Sequence, residues 1–206
     1  HFGRLPLKDL DQRAVDRACA ALCRPDAKPA TKLRNVIVPV RAVLTHAARR
    51  GLCKPPAFET PRGATGVRRT RWLTPAELAA LCAAAATHLR PLIVFLAGTG
   101  ARLSEALELD WNAVDLQHRR AVIWQKQQRE RRLDLPPAVV AALATLPHRD
   151  GRVFRTDDGR PYADHARRYG GQISTAWAGA CRRAGIVGAT PHTLRHTWAS
   201  YHYALY

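Results

Sequence analysis

Methionine is absent from this sequence of 206 residues, so no initiator residue is present. We therefore expect the chain to be part of a longer protein. Acidic residues are scarce, with 16 Asp and Glu against 33 Lys and Arg, which gives a formal net charge of +17. A positive excess of this size attracts polyanions, and nucleic acid is the partner that it favours. The alternative at this level is a basic protein without a nucleic-acid partner.

Paired cysteines and long apolar runs are also missing. The five cysteines are an odd number without any CxxC spacing, which favours reduced thiols in a cytosolic protein over disulfides. Cys19 and Cys23 are four residues apart, and we expect them to pack in a core rather than bind a metal. No apolar run approaches the roughly 18 residues of a membrane span, and no secretory signal opens the chain. The sequence indicates a cytoplasmic protein, associated with the nucleoid if DNA is its partner.

The motifs of several enzyme classes are lacking. Neither GxGxxG nor GxxxxGK[ST] occurs, which argues against a nucleotide site, and no GxSxG occurs, which argues against a serine hydrolase. His192 and His196 have a spacing that can bind zinc, but Thr193 replaces the glutamate of HExxH and no third ligand suggests itself. We expect neither a metal nor a cofactor.

Residues 1–58 read as a helical domain. Asp9 or Asp11 can cap a helix that runs to about residue 22, and a second helix is predicted over 31–50, with a kink at Pro39 and a stop at Gly51. The predicted apolar faces consist of Leu10, Ala14, Val15, Ala18 and Leu22 in the first helix, and of Leu33, Val36, Ile37, Val40, Val43, Leu44 and Ala47 in the second.

Positive charge is concentrated in this domain and in the segment after it. No acidic residue occurs over 27–58, whereas a solvated helix surface would normally mix both signs. The segment 59–71 is rich in Pro, Gly and Arg, and we predict a basic linker there. The predicted DNA-binding residues are Lys28, Lys32, Arg34, Arg41, Arg49, Arg50 and Lys54 in the domain and Arg62, Arg68, Arg69 and Arg71 in the linker.

Residues 72–206 predict a second domain. Thr74, Pro75 and Glu77 form the pattern of a capped helix start, and further helices are predicted over 91–97, 137–146 and 173–184. A β hairpin is predicted from runs over 120–124 and 131–136. Thr190 and Pro191 open a closing helix with Leu194, Trp198 and Tyr201 on its buried face. The fold class is therefore mainly α with a small β hairpin or sheet (α+β).

Two segments of this domain deliver an arginine near the start of a helix. Arg102 follows a glycine-marked turn with Glu105 three residues later, and His192 and Arg195 share a helix face. Taken alone, Arg102 and Glu105 would more simply form a surface ion pair. Two arginines, a histidine and a lysine near the hairpin tip instead suit phosphoryl transfer without a metal. Guanidinium groups match the nonbridging phosphate oxygens, and lysine or histidine can move a proton.

These segments together resemble the tyrosine recombinase (phage integrase) family. GTGARLSE is similar to its first arginine box, Lys126 before RERRLDLP is similar to its lysine hairpin, and HTLRH is similar to its HxxR box. The three occur in the family's order, and TPAEL and LDWNAVDL are also similar to its catalytic domain. The helical first domain resembles its core-binding domain, so that the resemblance covers nearly the whole chain.

The resemblance implies a specific activity. Two domains would clamp duplex DNA, and a tyrosine would attack a phosphodiester to leave a 3′-phosphotyrosine and a free 5′ hydroxyl, with four protomers on the DNA during synapsis. Arg102 and Arg195 would hold the phosphate, Glu105 would support the pocket, Lys126 would act as general acid and His192 would assist proton transfer. The strand register near Lys126 is ambiguous, which leaves Arg129 or Arg131 as alternatives for the phosphate.

The chain departs from the family pattern after the HxxR box. The family places its nucleophilic tyrosine well downstream, whereas Tyr201, Tyr203 and Tyr206 come too early. We therefore expect a C-terminally incomplete catalytic domain that does not cleave DNA by itself. A noncatalytic DNA-binding relative is the alternative, and an RNA-binding protein has little support because no aromatic RNP-like strand is visible.

Overall fold

Two separate clusters of buried apolar side chains organise the computed structural model, which describes residues 2–3, 5–64, 71–125, 129–162 and 171–205. The chain divides into two compact units, His1–Arg69 and Thr70–Tyr206. The first unit is helical, and the second combines helices with a three-stranded antiparallel sheet. The predicted fold class, mainly α with a small sheet, is confirmed. None of the helices in the described ranges combines the length and apolarity that a membrane span requires.

The first unit begins with a 3₁₀ turn, Leu7–Asp9, followed by helix α1, Gln12–Leu22. The structure decides between the two predicted caps, because the Asp11 carboxylate accepts the N–H of Ala14 at 2.8 Å. A short helix α2, Pro29–Lys32, leads into a π-helical turn, Leu33–Ile37, and then into α3, Val38–Ala48. The irregularity predicted at Pro39 is thus a wide turn just before it, since proline has no N–H to continue the regular ladder.

The core of the first unit confirms most of the predicted apolar faces and corrects two positions. Val15, Ala18, Cys19, Val36 and Ile37 form its buried cluster. Leu22 and Val43 were expected to be buried, but they are 61% and 63% exposed. Leu22 is the last residue of α1, and Val43 is turned by about 100° from the buried Leu44. The prediction of Leu22 and Val43 as core residues was therefore wrong.

The second unit contains six helices within its described ranges and one sheet. The helices are α4 (Pro75–Ala84), α5 (Arg90–Thr99), α6 (Leu103–Leu107), α7 (Pro137–Ala144), α8 (Gly171–Arg183) and α9 (Pro191–Leu205), with a 3₁₀ turn at Trp111–Ala113. The sheet has the order β1 (Val114–Asp115), β2 (Arg120–Gln125) and β3 (Arg129–Asp134). The predicted hairpin is confirmed as β2 and β3, whereas the two-residue strand β1 was not predicted.

The predicted start of α4 is confirmed in detail. The Thr74 hydroxyl accepts the N–H of Glu77 at 3.2 Å, and the Glu77 carboxylate accepts the N–H of Thr74 at 2.9 Å. The start of α9 differs from the usual N-cap, because the Thr193 hydroxyl accepts the N–H of Thr190 at 2.9 Å. A threonine at the third helical position thus takes the part that glutamate takes in α4.

Helix α5 lies at the centre of the second unit. Leu92, Ile93, Phe95 and Leu96 are almost completely buried, and the helix packs against both α7 and α9. Because α5 is surrounded on most sides, the turn that ends it is held against α9. This packing brings the two arginine-bearing segments together from distant parts of the sequence.

Helix α9 also holds the backbone that precedes α4. The buried Thr197 hydroxyl accepts the N–H of Leu73 at 2.9 Å and donates to the carbonyl of Thr193 at 2.9 Å. The Tyr201 hydroxyl donates to the Leu73 carbonyl at 2.7 Å. Of the predicted buried face, Leu194 is fully buried while Trp198 and Tyr201 are only partly buried, and the buried positions of Thr193 and Thr197 were not predicted. The backbone N–H and the backbone carbonyl of Leu73 thus both bond to side chains of α9.

We predict that Thr197→Val lowers the free energy of unfolding by about 1–3 kcal/mol, because the buried N–H of Leu73 loses its acceptor while the side-chain shape is kept. Thr197→Ser is the matched control, since it keeps the hydroxyl and loses one methyl group, for a smaller effect of about 1 kcal/mol. Chemical denaturation of both variants measures the difference. A valine variant as stable as the serine variant would contradict the assignment.

Candidate functional site

The turn that ends α5 fits closely under α9. Gly100 has a left-handed backbone with φ of 61°, and its N–H bonds to the carbonyl of Leu96 at 3.0 Å. A Cβ atom built at Gly100 would lie 2.4 Å from Cε3 of Trp198, which is closer than nonbonded carbons approach. Only glycine satisfies both the backbone conformation and the contact with the Trp198 ring.

Arg102 lies at the N-cap of α6 rather than inside the helix. The Glu105 carboxylate accepts the backbone N–H of Arg102 at 2.8 Å and its Nη1–H at 2.6 Å, so one acid holds both the backbone and the side chain. Glu105 is 5% exposed, whereas the Arg102 side chain is 52% exposed. The predicted pair therefore exists, but it differs from a surface ion pair because its carboxylate is buried and the guanidinium extends toward solvent.

Arg195 reaches the same turn from α9. Its Nη1 donates to the carbonyl of Gly100, 95 positions earlier in the chain. Burial lowers the pKa of Arg195, the charges of Arg102 and Arg131 lower it further, and Glu105 opposes the shift. Arginine stays protonated in proteins even so. The structure thus brings Arg102, Glu105 and Arg195 into one electrostatic cluster.

His192 belongs to this cluster as well. The side chain of His192 is exposed, but partial desolvation lowers its pKa, and the charges of His196, Arg195 and Arg102 lower the pKa further. Because the ordinary value of 6.5 is already below neutrality, His192 is mainly uncharged at pH 7. The rings of His192 and His196 meet edge to face with centroids 4.7 Å apart. Within the described ranges, no group of three acidic, histidine or cysteine side chains is arranged to hold a metal ion.

The lysine hairpin is described only in part. Lys126 lies outside the described residues, so its position relative to the arginines stays a prediction. Arg131, one of the two alternatives in the sequence, lies on β3 with Nη2 at 3.8 Å from Oε2 of Glu105. The sequence left the register open, although the alternation of Leu133 and Leu135 with polar residues in and just after β3 is a signal from which the inward side of Arg131 could have been inferred.

The predicted DNA-binding cations have different surroundings. Arg41 donates from Nη2 to the carbonyl of Phe58 at 2.8 Å, and Arg71 pairs with Glu77 at 2.6 Å, so both have structural partners. Arg68 and Arg69 lie outside the described residues. Lys32 is partly buried at the end of α2. The exposed members are Lys28, Arg34, Arg49, Arg50, Lys54 and Arg62.

Sequence comparisons define the class of protein. The sequence profile of the Phage integrase family matches residues 71–204, which is more than half of the chain. The integrase of Salmonella phage P22 is 27% identical over 237 residues, covering 98% of this chain and 61% of that protein. The tyrosine recombinase XerD of Mycobacterium tuberculosis (strain H37Rv) is 30% identical over 225 residues, covering 97% of this chain and 71% of that protein. The chain belongs to the phage integrase family of tyrosine recombinases.

Solved structures show the same fold. The Tn1549 transposon integrase in complex with circular intermediate DNA superposes with a TM-score of 0.72 at 14% identity, covering 100% of this chain and 76% of that chain. A lambda integrase dimer bound to a core site gives a TM-score of 0.64 at 18% identity, covering 95% and 74% of the two chains. At these identities the likeness establishes the architecture alone.

We predict that Gly100→Ala destabilises the second unit more than any other glycine substitution at a left-handed position. The left-handed backbone costs about 1–2 kcal/mol for a residue with a Cβ, and the contact with Trp198 adds a further 1–3 kcal/mol, roughly, for overpacking. Gly188→Ala is the matched control, because Gly188 has φ of 72° with nothing within 4 Å of its Cβ position. Equal losses for the two variants in thermal or chemical unfolding would show that the close contact with Trp198 is unimportant.

Proposed function

We propose that this chain is the DNA-binding and phosphate-activating part of a site-specific recombinase that cuts and rejoins duplex DNA through a 3′-phosphotyrosyl intermediate. The observation that carries the proposal is the contact of Arg195 on α9 with the turn between α5 and α6, beside which Arg102, Glu105 and His192 also lie. A structural ion pair would not need a second arginine that is partly buried and beside the first.

The two arginines suit a phosphodiester that gains negative charge as it is attacked. Arg195 is held in place by the carbonyl of Gly100, and Arg102 is held by the buried Glu105. Side chains that are fixed before the substrate binds need little reorganisation when charge develops on the nonbridging oxygens. Glu105 consequently acts on the reaction through the orientation of Arg102.

Proton transfer is assigned to two further residues. His192 is mainly neutral at pH 7 and so can accept a proton or donate a hydrogen bond to the phosphate. We assign the role of general acid toward the leaving 5′ oxygen to Lys126 on the resemblance to the family's lysine hairpin. No metal or nucleotide is required, because a phosphotyrosine linkage conserves the energy of the broken bond.

We further propose that the nucleophile is neither Tyr201 nor Tyr203. The Tyr201 hydroxyl donates to the Leu73 carbonyl at 2.7 Å, so it has a structural partner. Burial raises the pKa of Tyr201, and the charge of Glu77 raises it further, which makes the phenolate harder to form. Tyr203 is 88% exposed, two residues further along the same helix.

Duplex DNA is the proposed partner. The net charge of +17 and the exposed cations of the first unit support it, and the Tn1549 and lambda integrases have been solved in complex with DNA. In this proposal four protomers assemble on DNA during synapsis, and the protein acts in the cytoplasm on the nucleoid. The chain spans 61% of the length of the phage P22 integrase, so activities of the rest of such a protein are outside this proposal.

We predict strongly salt-dependent binding of the 206-residue chain to duplex DNA. Arg34→Gln and Arg49→Gln should each reduce the slope of log affinity against log salt concentration by about one, since each loses one phosphate contact. Arg17→Gln is the matched control, because Arg17 is an exposed arginine of the same unit outside the acid-free stretch. Fluorescence anisotropy over a salt series measures the slopes. If Arg17→Gln weakened binding as much as the other two, the proposed DNA-binding surface would be wrong.

A DNA strand that carries a 3′-p-nitrophenyl phosphate opposite a 5′ hydroxyl tests the phosphate chemistry without any nucleophilic tyrosine, because nitrophenol stands in for the tyrosine leaving group. We predict that the chain speeds nitrophenol release and joins the strand, and that Arg195→Gln lowers the rate by about 10²–10³. Tyr201→Phe should leave the rate unchanged.

These outcomes separate the proposal from its alternative. A noncatalytic DNA-binding relative would bind the same DNA and release no nitrophenol above the uncatalysed rate. Dependence of the rate on the Tyr201 hydroxyl would overturn its structural assignment.

A further inference from the structure

An arginine stands at a core-facing position of β3. Arg131 is paired across the sheet with Ile123, which is 1% exposed, and side chains at paired positions point to the same face. The next residues on that face of the strand, Leu133 and Leu135, are also buried, whereas Glu130 and Arg132 are exposed. A charged side chain at a position where the strand otherwise places leucine needs an explanation.

Two nitrogens of the Arg131 guanidinium are buried without hydrogen bonds to the described residues, while the side chain as a whole is 25% exposed. Its Nε and Nη2 atoms have almost no solvent-accessible surface, and neither atom donates a hydrogen bond. The carboxylate of Glu105 lies 3.8 Å from Nη2, which is too long for a hydrogen bond. Buried polar atoms without partners are rare in folded proteins, and a missing ligand is one physical reason for them.

Glu105 is already engaged by another arginine. Its Oε1 accepts from Nη1 of Arg102 at 2.6 Å and its Oε2 accepts from the backbone N–H of Arg102 at 2.8 Å. Arg131 also acts electrostatically on Arg195. Among the described residues, three guanidinium groups therefore share one buried carboxylate, and two positive charges remain without a counter-charge.

We propose that Arg131 is a third phosphate-binding arginine of the site, whose side chain turns toward the bound DNA and then donates from Nε and Nη2 to a nonbridging oxygen of the scissile phosphate beside Arg102 and Arg195. The inference rests on the proposed function and deepens it. Nε and an adjacent Nη present two parallel donors, the geometry that a phosphate accepts in bidentate fashion. The two unneutralised charges match a phosphodiester that gains negative charge in the transition state.

The opposite explanation is that Arg131 is a structural partner of Glu105. That explanation predicts a stabilising pair, and its removal would then loosen Glu105 and Arg102. A ligand-binding arginine that is unpaired in the free protein predicts the reverse, because its removal relieves two desolvated donors and the repulsion from Arg102 and Arg195. Stability without ligand and affinity for ligand therefore change in opposite directions only if Arg131 binds the phosphate.

The experiment uses the 206-residue chain and inorganic phosphate as the probe. Binding is followed by NMR of the arginine Nε–H groups, with ionic strength held constant by chloride, and the melting temperature is measured in phosphate-free buffer. Arg131→Gln removes the positive charge and the fork, which is the pair of parallel Nε–H and Nη2–H donors. Arg132→Gln removes the same charge from the exposed side of the same strand and is the matched control. Arg131→Lys retains the charge without the fork and serves as the second variant if Arg131→Gln fails to fold.

We expect the Nε–H signals of Arg102, Arg131 and Arg195 to shift together in the wild-type chain. Arg131→Gln should weaken phosphate binding about tenfold or more, with a melting temperature equal to that of the wild type or higher. Arg132→Gln should weaken it less than twofold, and Arg131→Lys should show an intermediate loss. A fall in melting temperature with unchanged phosphate affinity would overturn the proposal in favour of a structural role, and equal losses for Arg131→Gln and Arg132→Gln would reduce it to a general charge effect.

Different results would contradict the proposed function, which places a phosphate site at Arg102 and Arg195. If phosphate moved none of the arginine signals and Arg195→Gln had no effect on binding, the phosphate site itself would be wrong. If Arg102→Gln and Arg195→Gln weakened binding while Arg131→Gln did not, the site would stand and only the role of Arg131 would be lost.

Discussion

The arrangement of the site depends on one buried carboxylate. Glu105 lies inside the second unit, where an unpaired negative charge would be unfavourable. Its carboxylate is stabilised by hydrogen bonds that it accepts from the backbone N–H and the guanidinium of Arg102. Because the carboxylate is fixed by the packing of α6, the guanidinium that it holds is fixed at the protein surface. A residue that never contacts a substrate can in this way determine where a positive charge is presented.

The second half of the arrangement depends on a close approach between two elements. Gly100 lets the Trp198 ring lie against the turn after α5, and the same turn exposes the carbonyl that receives Arg195. Burial of α5 against α7 and α9 fixes the distance between the turn and α9. The arginine positions are thus set by core packing as much as by polar contacts, which explains how residues about a hundred positions apart come to lie beside one another.

Local signals in the sequence were sufficient for much of the fold. The cap at Thr74, the hairpin of β2 and β3 and the helical start at Pro191 all follow from residue types at short range, and the structure confirms them. The sequence offered Asp9 or Asp11 as the cap of α1, and the structure selects Asp11. The exposure of Leu22 and Val43 could not be predicted from the sequence. Periodicity identifies the apolar face of a helix, but it does not show how much of that face a neighbouring element covers. The π-helical turn before Pro39 was predicted only as a kink, since proline specifies the interruption of the ladder and not its form.

The sequence indicated which residues could form the candidate site but not their geometry. Spacing indicated that Arg102 could be oriented by Glu105, yet it could not tell a buried carboxylate from a surface pair. The position of Arg131 beside Glu105 requires the register of β3 with β2, which the sequence left open. The assignment of Lys126 rests on family resemblance, because Lys126 lies outside the described residues.

The bonds of the Leu73 peptide have a further consequence. Its N–H is held by Thr197 and its carbonyl by Tyr201, both on the helix that carries His192 and Arg195. The amide hydrogen of Leu73 can exchange with water only when α9 moves away from this backbone or the unit opens. Its exchange rate is therefore an internal reporter of how often the arginine-bearing helix leaves its place, and its measurement requires no substrate.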